Sequence, residues 1–213
     1  MSSPVSAPQQ EQFHISIPAR PDVHDFLKQR GEFHFIPVAD KIYRWTKEAA
    51  TRMGTRSFQK IQPHIFEEII SNSYDAYASA NSGEPSLDLM VVVQRKRGLD
   101  GKDKIIIKIK DNGTGFKNRP KGEKFQFAAT DILEKPADCS IGGMGIGLKH
   151  FIREVGQAGG SVAIKNRKNH GCAIYLTFDA EIALAGPASS EIAPSATTTL
   201  EIVSQLFKRL ISF

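Results

Sequence analysis

Three short stretches combine residue types and spacings that can do chemistry. The first is FEEIISNSYDAYASA, Phe66 to Ala80, which has the pattern of a helix. At about 100° per residue, with Glu68 set at zero, Asn72 falls at about 40° and Asp75 at about −20°. Ile61, Ile65, Ala76 and Ile69 fall at about 20°, 60°, 80° and 100° on the same wheel. Asn72 therefore sits inside the apolar stripe, and both carboxylates border it. A buried amide without a partner costs on the order of 1–3 kcal/mol. Two readings follow. Either the stripe is rotated and the three polar residues are half exposed, or they form a row of oxygen donors facing a cavity. Carboxylate and amide oxygens suit Mg²⁺, which keeps several waters and usually binds together with a nucleotide phosphate.

The second stretch is IKIKDNGTGF, Ile107 to Phe116. A strand ends at Asp111, and Asn112-Gly113-Thr114-Gly115 follows. Gly113 and Gly115 permit a tight loop and close approach of backbone to a ligand. An aspartate at such a strand end can accept a hydrogen bond from an exocyclic amine. A plain Asn-Gly turn has the same sequence. The third stretch is SIGGMGIGLKHF, Ser140 to Phe151, where four glycines in six residues open a helix. Free N–H groups and the positive helix end favour phosphate. It is neither a P-loop, lacking the Lys-Ser/Thr pair, nor a dinucleotide fingerprint, since no parallel βαβ unit surrounds it. A glycine-rich loop without a ligand is the plainer reading.

The elements that must hold these stretches can be read from pattern. FHISIPA, Phe13 to Ala19, alternates as an edge strand does. Asp40 to Met53 is helical in pattern, and the next helix starts near Gln62-Pro63, with Pro63 in a first-turn position. SLDLMVVVQRK and KIIIKIKD are strands joined by the hairpin loop RGLDGKD. A short helix is expected at Phe125 to Leu133, and another from Gly145 to Gly156. GSVAIKN and CAIYLTF form a second hairpin through RKNHG. Hairpins imply antiparallel pairs, and the helices between them imply one helical layer. The expected fold class is α+β, a two-layer α/β sandwich with a mixed, mostly antiparallel sheet.

Composition sets the outer bounds. The chain has 213 residues, 40% hydrophobic and 24% charged, which suits a globular domain that needs no staples. No apolar run reaches the roughly 18 residues of a membrane span, and MSSPVSAPQQEQ is not a secretory signal. Cys139 and Cys172 make no disulfide framework, so a reducing, cytoplasmic setting is expected. The net charge of +5 permits an anionic partner. The basic runs Gln94–Lys104 and Lys165–His170 read as solvated turns or as phosphate or nucleic-acid contacts; the lack of interleaved aromatics makes nucleic acid the weaker reading.

Taken together, the three stretches are more specific than each alone. Glu-x3-Asn-x2-Asp-Ala, then Asp-x-Gly-x-Gly, then Gly-x-Gly-x-Gly resembles the GHKL, or Bergerat-fold, ATPase superfamily. That group holds gyrase B, the ninety-kilodalton heat-shock chaperones, histidine kinases and MutL. The resemblance covers about residues 61–178. It implies ATP and Mg²⁺ as cofactors, with Asn72 on the metal and Glu68 orienting and deprotonating the attacking water. Asp111 would accept from the adenine amino group, with Gly113 and Gly115 shaping that pocket and Asp75 completing the helix box. Gly143, Gly145 and Gly147, with Ile146 and Leu148, would hold the phosphates. Residues 117–141 would be the ATP lid, with Lys117, Arg119, Lys121 and Lys124 in reach of phosphates.

Where the family often carries Gly-Thr on the last strand, this chain has Gly171-Cys172. The roughly 35 residues after Phe178 are too few for a gyrase-type transducer domain, so hydrolysis is expected to be slow or partner-dependent. The implied division is a disordered 1–12, an ATP-binding domain at 13–180, a linker at 181–199 and an amphipathic helix at 200–213. That helix carries Leu200, Val203, Phe207, Leu210 and Ile211 on one side, fit for its own core, a partner or dimer, or a membrane surface. NSYDA is similar to the gyrase, chaperone and MutL branch; GGMGIGL and FHISIPA are closer to the kinases. The reading is an ATP hydrolase acting as a nucleotide switch, with a protein partner or homodimer. The alternatives are an anti-sigma-like protein phosphotransferase and a regulatory nucleotide-binding module. His150, on the helix after the phosphate loop, reads as a surface or packing histidine.

Overall fold

A computed structural model of the chain describes residues 10–18, 35–78, 86–115, 121–126, 147–167 and 170–181. In order these form β1 (Gln10–Pro18), α1 (Ile36–Arg52), a 3-10 turn (Ser57–Lys60), α2 (His64–Ala78), β2 (Ser86–Arg97), β3 (Asp103–Lys110), β4 (Lys124–Gln126), α3 (Gly147–Gln157), β5 (Ser161–Asn166) and β6 (Cys172–Asp179). The strands form one six-stranded sheet in the order β1-β2-β3-β6-β5-β4. Every strand pair in it is antiparallel, and its mixed character reduces to one parallel bridge, Lys121 with Asn166.

Alternation along the strands decides which face is covered. Leu87, Leu89, Val91 and Val93 of β2 are buried, as are Ile105, Ile107 and Ile109 of β3 and Ile174, Leu176 and Phe178 of β6. The register lines these residues up across the sheet. Val91, Ile109, Ile174 and Ile164 form one row; Val93, Ile107, Leu176 and Val162 form the next. Each such side chain contributes about 1.5–3 kcal/mol on burial. Slipping one strand by one residue would turn its whole set outward.

The helices supply the second layer. α1 packs against β1, β2, β3 and α2, while α3 lies on β5 and touches α2. Tyr43, Phe58, Phe66 and Phe178 meet in an aromatic cluster with ring centroids 5.7–6.3 Å apart. The Tyr43 hydroxyl donates to the Ile61 carbonyl at 2.9 Å, which fixes the chain as it enters α2.

Three expectations shift. The first strand begins at Gln10, inside the stretch read as disordered, because β2 is long enough to pair Gln10 with Gln94. Phe125, read as the start of a helix, lies in β4, where pairing with Ile164 of β5 overrides local propensity. The stripe of α2 is also centred elsewhere. Ile65, Phe66, Ile69, Ile70, Tyr74 and Tyr77 are its buried apolar face, which puts Glu68 and Asn72 on its flank, half-buried.

The basic run after Gln94 is a turn whose charges are paired only in part, leaving it net positive. Arg95 and Arg97 pair with Asp103, and Lys104 with Asp100 and Asp179. The expected linker at 181–199, apart from Glu181, the carboxy-terminal helix, and most of the expected lid lie outside the described residues. No helix among the described residues is long and apolar enough to cross a membrane.

Candidate nucleotide site

α2 is the spine of the site. From Glu68 to Ala76 it advances about 12 Å along its axis. One end meets the start of α3 and the other meets the loop after β3.

At the first end, the Glu68 carboxylate lies against Gly147, the first residue of α3. A side-chain carbon at 147 would fall on the carboxylate itself, so any larger residue there has to displace the Glu68 side chain. An anionic group thus sits at a helix amino terminus, where free N–H groups and the helix dipole favour negative charge. Leu148 follows, buried under α3. Asn72 stands one turn beyond Glu68 on the same side of α2, half-buried. Asp75 is buried nearer the far end. Gly143, Gly145 and Ile146 lie outside the described residues.

At the second end, Asp111 is buried at the point where β3 leaves the sheet. Its Oδ1 accepts from the Gly113 N–H at 2.9 Å and the Cys172 N–H at 3.0 Å. Its Oδ2 accepts from the Cys172 thiol at 2.9 Å and, at a long 3.4 Å, from the Ser73 hydroxyl. Burial raises the Asp111 pKa, and the hydrogen bonds from Cys172 and Gly113 and the charge of Arg167 oppose that rise. Burial, then the charge of Asp111 and the bond to it, push the Cys172 thiol well above its ordinary value. The proton of this pair therefore rests on sulfur, and the carboxylate is the acceptor. Cys172 thus takes a donor's part beside Asp111.

The glycines of this end are required by close approach. A side-chain carbon at Gly113 would lie 3.1 Å from the Tyr77 backbone nitrogen, and Thr114 N–H and Oγ1 donate to the Ala76 carbonyl at 3.2 Å. Gly115 has φ +78°, and a side chain there would crowd Asn166 at 2.7 Å. Gly171, also at φ +78°, backs directly onto the Asp111 carbonyl. The Asn112 side chain forms no simple turn. Its Oδ1 accepts from the Asp88 N–H at 2.9 Å and its Nδ2 donates to the Ser86 carbonyl at 3.1 Å, which ties the loop to β2.

Two residues around Asp111 escape a reading of the sequence. Arg167 donates from Nη1 to the Asp111 carbonyl at 2.7 Å, and Ser73 faces its carboxylate. Ser73 adjoins Asn72 on the helix, so helical spacing offers a signal for it. Arg167 lies in the basic run Lys165–His170, where nothing local points to Asp111.

The residues fit an adenine nucleotide. The second partner of Asp111 Oδ2 is a long contact, so a lone pair remains for an exocyclic amine. The carboxylate and amide of α2 are oxygen donors, the set that a hard divalent cation takes. No curated protein matches the chain closely enough to count as a relative. A family model, the histidine kinase-, DNA gyrase B- and HSP90-like ATPase, matches residues 61–182, from the entry to α2 through β6. That span is more than half of the chain and holds both ends of the site, so the chain belongs to the histidine kinase-, DNA gyrase B- and HSP90-like ATPases and carries their ATP-binding module.

Proposed function

We propose that the chain is a Mg²⁺-dependent ATP hydrolase with slow turnover, in which ATP orders a lid and so switches a protein partner or a second copy. The observation that carries the reading is the contact of Glu68 with Gly147, which sets a carboxylate at the amino end of the helix that follows the third glycine stretch. Asp111 accepts from the adenine amino group, and Gly113 and Gly115 keep the base pocket open. Backbone N–H groups of Gly143, Gly145, Ile146, Gly147 and Leu148 take the phosphates, aided by the helix dipole. Asn72, with Asp75 behind it, would hold Mg²⁺, which supplies positive charge to the triphosphate.

Glu68 orients a water in line with the terminal phosphorus and takes its proton as the new P–O bond forms. The bond to the bridging oxygen breaks, and its electron pair leaves with ADP. Correct placement of one general base contributes on the order of 10²–10⁴ in rate. The buried free thiol of Cys172 suits a reducing, cytoplasmic setting.

Measurement of ATP binding and turnover on the parent and on Glu68→Ala tests this. Binding within a few-fold and turnover lowered by at least 10² are expected. Undiminished turnover in the variant would remove Glu68 from the mechanism. Label passing from the terminal phosphate to protein instead of to inorganic phosphate would make the chain a phosphotransferase, and binding without either product would make it a regulatory module.

A further inference from the structure

We infer that His64, His150 and Glu154 form a binding site for a zinc-class divalent metal, one that clips the first turn of α2 to α3. Three side chains converge there. His64 Nε2 lies 3.3 Å from Glu154 Oε1, and His150 Nε2 lies 3.0 Å from the same oxygen. One ligand atom from each of the three lies within 4.8 Å of the others. A four-coordinate zinc with bonds of about 2.0–2.2 Å sets its donors about 3.3–3.6 Å apart, so the 3.3 Å pair matches, the 3.0 Å pair opens by a few tenths of an ångström, and side-chain rotation makes the adjustment.

The surroundings favour a metal over a simple ion pair. Both imidazoles point their Nε2 atoms at one carboxylate oxygen, and their rings stack with centroids 5.4 Å apart and 16° between planes. A metal keeps both rings neutral and uses all three donors at once. The other carboxylate oxygen is already held: Glu154 Oε2 accepts from the Gln62 N–H at 3.2 Å. Such an outer hydrogen bond orients a ligating carboxylate. His150 and Glu154 are four apart on α3 and share one face, the spacing by which a helix presents two ligands. The imidazoles are 45% and 54% exposed, which gives a metal its path in, while Glu154 at 13% is held from behind. Three protein donors leave a fourth position for water.

The location gives the clip a consequence. His64 is one turn before Glu68, and His150 is three residues after Gly147. The metal would join the same two helix ends that meet through Glu68 and Gly147, but from the outside. It is thus distinct from the Mg²⁺ assigned to Asn72 and has softer, nitrogen-rich ligands.

The test uses the whole chain without nucleotide and with Mg²⁺ in excess, so its outcome does not depend on the ATP reading. Zn²⁺ is titrated by calorimetry, and Co²⁺ by its visible absorption. About one Zn²⁺ per chain, a raised Tm and a four-coordinate cobalt spectrum are expected. His64→Asn and His150→Asn should each weaken binding at least tenfold, and together remove the cobalt spectrum. His14→Asn, an exposed histidine on β1, should leave both unchanged. Because His64 and His150 are exposed, the variants should keep the parent's circular dichroism. If either fails to fold, the parent alone still decides: no Tm rise with Zn²⁺, or affinity no tighter than millimolar, overturns the site. Equal affinity in parent and double variant overturns it as well.

Discussion

Replacing Asp111 by asparagine isolates the charge from the shape of the base pocket. The side chains are isosteric, so Oδ1 keeps both backbone donors, Gly113 N–H and Cys172 N–H. The new Nδ2 takes the place of Oδ2: one hydrogen goes to the Cys172 sulfur, and the other faces the base in place of the long Ser73 contact. The fold therefore loses only that long contact and no longer buries a carboxylate.

The pH dependence follows from sign. Asp111 is raised above its ordinary 3.8 by burial. Its contribution to stability is full below that value and is lost as pH climbs through the raised one. Removing the charge removes that loss, so the Tm of the variant relative to the parent should grow as pH rises from 3.8.

Binding should move the other way. The adenine amine loses a charge-assisted bond of about 1.5–3 kcal/mol and meets a donor instead of an acceptor. A loss of about 2.7–4 kcal/mol corresponds to on the order of 10²–10³ in Kd. Calorimetry with ATP and with inosine triphosphate reads both effects. Inosine offers a carbonyl where adenine offers an amine, so the parent should prefer ATP and the variant should reverse that preference. Affinity for ATP within threefold of the parent, with the ratio of the two nucleotides unchanged, would refute the placement of the base at Asp111.

Gly171→Ala should destabilise the fold by at least about 2 kcal/mol, read as a lower urea midpoint, since alanine at φ +78° costs about 1–2 kcal/mol and its methyl would also strike the Asp111 carbonyl. Cys172→Val removes a donor from Asp111 Oδ2 and should weaken ATP binding by about 2- to 12-fold, the equivalent of about 0.5–1.5 kcal/mol, while Cys172→Thr, with a stronger hydroxyl donor, should equal or exceed the parent. Gly147→Ala should lower turnover at least tenfold by displacing the Glu68 carboxylate, with thermal stability held or raised because alanine is the better helix former by up to about 1 kcal/mol.

The antiparallel pairs β2-β3 and β5-β6, the helical layer and the close backbone approach at Gly113 and Gly115 are legible because each rests on a local demand. Alternating apolar residues specify a covered face, and glycine marks places where a carbon would collide. What stays hidden depends on contacts between distant segments. Nothing around Arg167 says that its guanidinium will clamp the Asp111 carbonyl. His150 reads as a surface histidine because His64, and the Gln62 N–H that orients Glu154, reach it only when α2 meets α3. Lys124–Gln126 carries no alternating pattern of its own and becomes a strand because β5 presents an edge to pair with. The stripe of α2 takes the rotated of its two readings for a related reason. Aromatic residues at 66, 74 and 77 widen the buried face and move its centre away from Asn72.

The sheet order divides the strands into two ribbons, β1-β2-β3 and β6-β5-β4, sutured by the pairing of β3 with β6. Asp111 and Cys172 close that suture at one end, linking positions 61 residues apart. Long-range pairings of this kind form late, because the closure entropy of the intervening loop must be met first. On a ribosome the base pocket would have no walls until β6 has emerged. ATP would then find nothing to grip on a half-made chain, and once bound it would hold the two ribbons together across their seam. With the base placed at Asp111 as proposed, bound nucleotide would report that the whole sheet has been assembled.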